Sequence, residues 1–361
     1  MSVTTESGTE SVMSEQIRIN WYRTPVDKAV MSELMRRNDA RAFAQVIPQL
    51  MLFVVTATLA YLAFLNVHRD NWPWTIPVLL LALFLHGTFS AFLGGIAGHE
   101  LCHKTPFKTQ FWNDFFLAIF GFIAWFDPVA YRLSHVRHHQ ATVHTDYDGE
   151  VVLPQGLDWY CVKFVLTNFT FDPMTPFRLI RSWGAVAFSD STYPLMFSRE
   201  WTQRILPKTK EELRRDRRRW ARIVLLGHLL LASVFIATGH WFLIVIFTFG
   251  CHYAHWLVNL CWIPEHIGLS PNVPDFRLCC RTYTCGPLIA FIHWNMQYHV
   301  EHHMFPAVPF YNLPRLRKAI EHDLPPAHHG LWATWSEILP IMHRQQQDPT
   351  YAFVPKLPVP A

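Results

Sequence analysis

Histidines carry the chemistry of this sequence. His299, His302 and His303 stand three and four residues apart, a spacing that brings three imidazoles to one face of a helix. The same pattern recurs at His135, His138 and His139, and a related pair stands at His99 and His103. Neutral imidazole is a borderline ligand suited to iron, copper, nickel and zinc, so each cluster reads as a metal-binding half-site. Eight imidazoles exceed the roughly six ligands of one octahedral ion, so the inventory calls for two ions. His266, after Glu265, is a ninth candidate. Asn295, one helical turn before His299, has two readings: a ligand through a bridging water, or a helix cap.

Structural zinc takes four ligands and catalytic zinc about three, so a nitrogen-rich, two-ion set fits redox iron better, with copper chemically open. Soluble di-iron proteins pair Glu-x-x-His motifs. Glu100 and His103 have that spacing but no matching partner. His99, Glu100 and His103 also satisfy the zinc metalloprotease pattern HExxH, the rival from another class. That reading leaves the other two clusters unexplained, and the later apolar runs hold no carboxylate as a third ligand. A non-catalytic metal- or haem-binding membrane protein is a further alternative. Cys279, Cys280 and Cys285 lack a paired Cys-x-x-Cys and read as packing residues. His252 with His255, and His86, read as polar groups facing a bundle interior or a substrate channel. His322, His328 and His329 read as surface residues.

The elements that must position these groups are apolar. Of 361 residues 51% are hydrophobic and 16% charged, against roughly a quarter charged in soluble domains, which points to a membrane. Residues 46–67 and 75–97 are runs of spanning length, about 20 residues each, and the second delivers the chain to His99. Residues 111–126 suit an interfacial or re-entrant helix ended by Asp127-Pro128. Residues 223–238 and 241–262, separated by Gly239 and His240, read as third and fourth spans joined by a tight turn. The expected fold is all-α and integral to the membrane: a 1–45 N-terminal segment, a 46–316 four-span domain with a helical cap, and a 317–361 tail.

Lys208, Lys210, Arg214, Arg215, Arg217, Arg218, Arg219 and Arg222 form a basic run on the face where the second and fourth spans exit. Positive-inside bias makes that face cytoplasmic, and it carries all three clusters. No nucleic-acid-binding signature accompanies the run. Seven cysteines without framework spacing fit a reducing compartment. The polar first 45 residues contain no signal-peptide pattern, so both termini are expected in the cytoplasm.

The three clusters resemble the histidine boxes of the membrane fatty acid desaturase and hydroxylase superfamily. Tyr298 to His303, followed by Pro306, Pro309, Asn312, Leu313 and Pro314, is similar to bacterial members, and the resemblance covers most of the chain. Glu265, His266 and Gly268 resemble the related alkane hydroxylases. The resemblance implies four spans under a cytoplasmic cap holding two irons. Their ligands would be His99, His103, His135, His138, His139, His266, His299, His302 and His303, with Asn295 through water. It implies an oxidoreductase of a bacterial inner membrane that takes O2 and electrons from a separate ferredoxin, rubredoxin or cytochrome-type donor to desaturate or hydroxylate an aliphatic C–H site. The default substrate is a fatty acyl chain. The stretch Trp21 to Pro25 resembles enzymes of small metabolites, of rhizopine or dihydrorhizobitoxine type. Trp125 and Tyr131 are candidates to line the substrate path, or packing residues.

Overall fold

The computed structural model describes residues 18–151 and 168–358. Helix α1, Lys28–Leu34, starts where the Asp27 carboxylate accepts the backbone N–H groups of Ala29 and Val30. Helix α2, Asp39–Leu65, is capped by Asn38, whose side chain accepts from Arg41 N. Helix α3, Trp72–Ser90, enters with Pro73 in its first turn. It continues through a π-helical turn, Leu93–Ala97, into α4, Gly98–His103. The whole run Trp72–His103 is apolar enough to cross a membrane and ends on the first histidine pair. Lys104 then turns the chain with a φ of 59°.

Helix α5, Gln110–Ile123, and helix α6, Pro128–Gln140, are bent by 112° relative to each other. Asp127 closes the bend by accepting Ala130 N, so Asp127-Pro128 opens the helix of the second box as well as ending the apolar run. Helices α7, Thr175–Phe188, and α8, Arg199–Ile205, lead to α9, Glu211–Ala237. Among the described residues three helices are long and apolar enough to cross a membrane, or up to four if the bent pair is counted as one span.

Two of the expected boundaries move. The first span begins at Asp39, and the third begins at Glu211, so most of the basic run is the head of α9. Within it Arg217 is buried, pairs with Asp127 at 2.5 Å and donates to the carbonyls of Ser191 and Tyr193. One residue of the basic run thus ties α9 to the second box.

The run 241–262, expected as a continuous fourth span, is broken. It contains a π turn at Ile244–Thr248, a 3-10 turn at Gly250–His252 and only then a helix, α10, Trp256–Trp262. Irregular backbone at membrane depth survives only where neighbours satisfy its polar groups. Here His86 Nε2 donates to Ile246 O at 3.0 Å and Trp125 Nε1 donates to Thr248 O at 3.0 Å. The Thr248 hydroxyl meets His228 Nδ1 at 3.3 Å. Gly250 is required by this packing, because a Cβ there would stand 2.6 Å from His86 Nε2. His86 is therefore a satisfied interior residue, and Trp125, lying between His228 and Trp183, is a packing and hydrogen-bonding residue. His252, whose Nε2 is buried without a partner, sits on the 3-10 turn and not on one helical face with His255.

The cap is built from the residues after Trp262 together with the N-terminal stretch. Helix α11, His299–Met304, carries the third box and packs on α12, Leu313–Ile320. Glu301, fully buried, accepts from Thr282 Oγ1 at 2.6 Å and from Arg317 at 3.1 Å, fixing α11 to α12. Residues beyond 316 do not hang free: α13, Leu331–Gln347, packs Trp335, Ile338 and Met342 on Ile267 and Leu260. The only sheet among the described residues is a two-residue parallel pair, Tyr283–Thr284 with His328–His329. His328 is accordingly structural, and its Nε2 meets Glu337 at 2.9 Å.

At the N-terminal end Trp21 stacks on Phe276, 4.1 Å between centroids, and donates to Gln140 O at 2.9 Å. Asp323 accepts from Tyr22 Oη at 2.7 Å, Thr24 Oγ1 at 2.6 Å and Arg277 at 2.5 Å. Burial opposes its ionisation, but those donors and the Arg277 charge hold the Asp323 carboxyl below the ordinary aspartate value of 3.8. A carboxyl depressed on folding stabilises above its unfolded pKa and loses that contribution as pH falls through the folded value. We expect Asp323→Asn to cost about 1–3 kcal/mol near neutrality. The gap in melting temperature between variant and parent should close only when the pH is taken below the ordinary aspartate value; a gap independent of pH would show that the charge is immaterial.

Candidate metal centre

The histidines of the three boxes and His266 converge into two groups. His99, His103, His135, His139 and His302 form one, and His138, His266, His299 and His303 the other, each with candidate ligand atoms within 4.8 Å of one another. The spacing predicts one half-site per box. Instead both HxxHH boxes are divided. His135 with His139, four residues apart, enters the first group while His138 enters the second; His299 with His303 enters the second while His302 enters the first. Helical geometry explains the split: at about 100° per residue, positions three and four on fall on opposite sides of the starting residue, so neighbouring rings diverge. The two HxxHH helices, α6 and α11, therefore contribute to both groups, and α4 to the first alone. The groups abut, with His139 stacked on His303 at 4.3 Å.

The residues fit a cation on the evidence of their own protons. A neutral imidazole carries one N–H. His266 Nδ1 faces the Cys279 carbonyl at 2.8 Å, which only accepts, so the proton is on Nδ1. Thr142 Oγ1 already donates to His138 O at 2.6 Å, so it accepts from His303 Nδ1 at 3.1 Å. His138 Nδ1 faces Asp148 at 2.8 Å. Burial opposes ionisation of Asp148, but His138 and two backbone N–H groups hold its carboxyl below the usual range, so it too accepts. The Nε2 atoms of His266 and His303 are thereby left as bare lone pairs, while the Asp148 charge, against burial, holds the pKa of His138 above its ordinary value.

The ring nitrogens of each group converge. His138 Nε2 and His303 Nε2 are 3.2 Å apart, His266 Nε2 and His299 Nε2 2.9 Å, and His299 Nε2 and His303 Nε2 3.0 Å. In the first group His103 Nε2 and His135 Nε2 stand 2.9 Å apart and His135 Nε2 and His139 Nε2 3.0 Å. Imidazole nitrogens converging in this way form a set that a cation can occupy. A separation near 3.0 Å is also what two ligands at right angles produce with metal–nitrogen bonds of about 2.1 Å. His302 is buried with neither ring nitrogen hydrogen-bonded, as a ligand awaiting its partner would be.

Outer carboxylates complete the arrangement, and the spacing of the histidines does not reveal them. Glu150 Oε1 stands 2.6 Å from His135 Nδ1. Glu265 reaches His299 Nδ1 at 3.4 Å and His293 Nε2 at 3.2 Å, and burial pushes the Glu265 carboxyl well up. Glu100 Oε1 lies 3.1 Å from His99 Nδ1 and 3.7 Å from His302 Nδ1. Glu100 is therefore behind the rings, on the side away from their Nε2 atoms, where the metalloprotease reading needs it in front. The signal for Asp148 and Glu150 is the pair of acids following the second box within one loop. Fully buried His293 gives no signal in spacing, because it precedes the helix of the third box.

Asn295 is a member of neither imidazole group. The helix of the third box starts at His299 without a side-chain cap. Asn295 lies before it with a φ of 55°, its Oδ1 3.5 Å from Gln297 Nε2, so the capping alternative is not what the structure places here. His252, His255, Cys279, Cys280 and Cys285 are likewise outside both groups; the buried thiols of Cys279 and Cys280 stand 3.9 Å apart. Tyr131 stacks on His135 at 5.0 Å, directly beneath the first group. The second group is wholly buried, whereas His103 and His139 leave the first partly open.

A family described as Fatty acid desaturase matches residues 71–335 of the chain. Among curated proteins, the Delta(6)-fatty-acid desaturase fat-3 of Caenorhabditis elegans is 25% identical over 296 residues, 75% of this chain and 63% of that protein. The Delta(5) fatty acid desaturase fat-4 of the same organism is 27% identical over 273 residues, 66% of this chain and 59% of the relative. The chain thus spans about three fifths of the length of these two relatives. The dihydrorhizobitoxine desaturase of Bradyrhizobium elkanii is 26% identical over 279 residues, 73% of this chain and 72% of that protein.

Outer-shell partners of metal-bound histidine set ring orientation and ligand basicity. Asp148→Asn keeps the shape but removes the charge behind His138. We expect metal affinity to fall by roughly ten- to hundredfold, read by competition of the loaded protein against a chelator, with the protein still folded. Unchanged affinity would show that Asp148 does not hold the ring.

Proposed function

Because the chain belongs to the fatty acid desaturase family, we propose that it is a membrane-bound oxidoreductase with two irons, held by the two histidine groups, that removes hydrogen from an aliphatic C–H site. The observation that carries the reading is the convergence of nine buried or half-buried imidazoles into two adjoining sets. When bound, the irons would supply O2 activation with two electrons from a separate donor protein, leaving an alkene when two hydrogens are taken and an alcohol when one oxygen is inserted.

The protein's own residues orient and enclose. In this reading His99, His103, His135, His139 and His302 hold one iron and His138, His266, His299 and His303 the other, with Asn295 as a further ligand through water. Tyr131 and Phe126 floor the first group, with ring centroids 4.9 Å apart. Phe276 covers His303 at 5.7 Å and is in turn covered by Trp21, so the Trp21 to Pro25 stretch excludes water from the second site. The spans would be α2, the run from α3 through α4, α9 and the broken stretch to α10, with the histidine groups, both termini and the 18–45 and 317–358 segments on the cytoplasmic side of a bacterial inner membrane. The ends of the bundle support the pairing: Thr109 N donates to Asp39 at the histidine end, and Tyr61 meets His240 at the other.

The substrate reading favoured by the family and the two nematode relatives is a fatty acyl chain. The dihydrorhizobitoxine desaturase similarity, which covers 72% of that protein, favours a small aliphatic metabolite as the second reading.

The test uses the full chain. Purified protein should hold about two irons, the number the paired histidine sets imply. His138→Ala and His302→Ala should each lose iron and all turnover, and His322→Ala neither. A single zinc per chain, or full activity of iron-depleted His302→Ala, overturns the proposal. Co-expression with a reductase partner, followed by mass analysis of lipids and small metabolites, separates the substrates: loss of two hydrogens marks desaturation and gain of one oxygen marks hydroxylation.

A further inference from the structure

A second built feature lies apart from the histidines, at the head of α2. There the chain encloses an open cavity of about 830 Å³ lined by Arg36, Arg37, Arg41, Lys108 and Arg315, against the single acid Glu33. Five cations facing one carboxylate leave the lining strongly positive. Glu33 is taken by Arg315 at 2.6 Å. Arg41 is held at the back by Asn312 Oδ1 at 2.9 Å, and Asn312 is itself buried and anchored on Leu34 O at 2.7 Å. Arg36 stands near the Glu33 carboxylate and Lys108 near that of Asp39, without a side-chain hydrogen bond or salt bridge to either among the described residues.

Beside it lies a second hollow of about 440 Å³, reached past Met35, which lines both. Val26, Met31, Met35 and Phe305 line this one, with Lys28 and Ser32 at its rim. A charged hollow joined to an apolar one, at the end of a helix of membrane-spanning length, matches a molecule with an anionic head and a hydrocarbon tail. Met35 and Val30 are exposed at 42% and 41%, apolar surface that water alone does not favour.

We infer that Arg36, Arg37, Arg41, Lys108 and Arg315 bind the phosphate of one anionic phospholipid, with an acyl chain along the Val26, Met31, Met35 and Phe305 trough. The phosphate enters between Arg36, Arg37 and Lys108; Arg41 and Arg315, fixed by Asn312 and Glu33, set the back and side. The lipid is a bound component of the membrane surface and not the molecule oxidised. The inference rests on α2 crossing the bilayer with its head at the cytoplasmic surface.

The test is a titration of the detergent-purified full chain with dioctanoyl phosphatidylglycerol, followed by native mass spectrometry. Parallel arms use dioctanoyl phosphatidylcholine and inorganic phosphate. The parent should take up one phosphatidylglycerol saturably, in preference to phosphatidylcholine. The exposed triple variant R36Q/R37Q/K108Q should weaken that uptake by about a hundredfold, since each cation near a lipid surface contributes about a factor of five to ten. K208Q/R215Q/R219Q removes the same charge from the basic run around the head of α9 and should leave uptake unchanged. Equal uptake by parent and R36Q/R37Q/K108Q overturns the inference, as does equal loss in the second variant or equal binding of phosphatidylcholine. Displacement of the lipid by inorganic phosphate at comparable concentration also overturns it, by showing a site for phosphate alone. Lipid uptake does not depend on iron or turnover, so failure here and failure of the oxidoreductase reading are told apart.

Discussion

Three imidazoles of one group are each backed by an acceptor, which turns the far nitrogen of the ring toward the same small volume. That constraint organises the molecule. A carbonyl, a hydroxyl already spent on another acceptor and an ionised carboxylate stand behind His266, His303 and His138 respectively. Two of these backing groups, Thr142 and Asp148, follow α6 within one loop and the third is the carbonyl of Cys279, so the arrangement exists only when the residues after Trp262 have folded against α6. The protein holds imidazole nitrogens close together in a region where water cannot separate them, and buried polar groups of that kind are tolerated only when a partner compensates.

The division of each HxxHH box between the two groups gives the centre its stiffness. If each helix served one group, the distance between the groups would depend on how two helices pack. With α6 and α11 each contributing to both groups, that distance is tied to positions on single helices, which bend little over one turn. Buried Glu301, held by Thr282 and Arg317, and buried Arg217, held by Asp127, lock those two helices to the remainder of the cap and to α9. The long-range polar contacts of the cap thus converge on the placement of two short helices.

Much of the site is legible in the sequence because its ligands come as local patterns. The three clusters and His266 are the nine histidines that the structure brings together. What spacing does not convey is which ring joins which group, because that depends on the side of the helix each ring leaves from and on where the partner helices stand. The backing residues are illegible for another reason. Asp148, Glu150, Thr142 and the Cys279 carbonyl act from outside the box helices, where no periodicity marks a direction. The fourth apolar run misleads for a third reason: hydropathy in 241–262 reports solvent preference, while the break at 244–252 is decided by hydrogen bonds from His86, Trp125 and His228, all earlier in the chain. His86, a polar residue in an apolar run, has its explanation there. The stretch beyond residue 316 reads as a separate tail because it follows the last histidine box and holds no apolar run of spanning length. Its buried face is set by few residues, Trp335, Ile338 and Met342, and their packing on Ile267 makes it part of the cap.

The broken run also bears on how the chain is made. Its freed carbonyls at Ile246 and Thr248 are answered by side chains from α3 and the α5–α6 bend, and the Thr248 hydroxyl by α9. Alone in lipid, that stretch would leave polar backbone facing hydrocarbon, a cost of several kcal/mol for each unanswered group. It cannot reach its native form as an independent insertion unit. All three suppliers precede it in the sequence, so a ribosome delivers the donors to the bilayer before the acceptors emerge. The order of synthesis is therefore also the order in which the stretch becomes tolerable to the membrane, and a circular permutation that placed it first would hand the insertion machinery a segment with nothing yet to fold against.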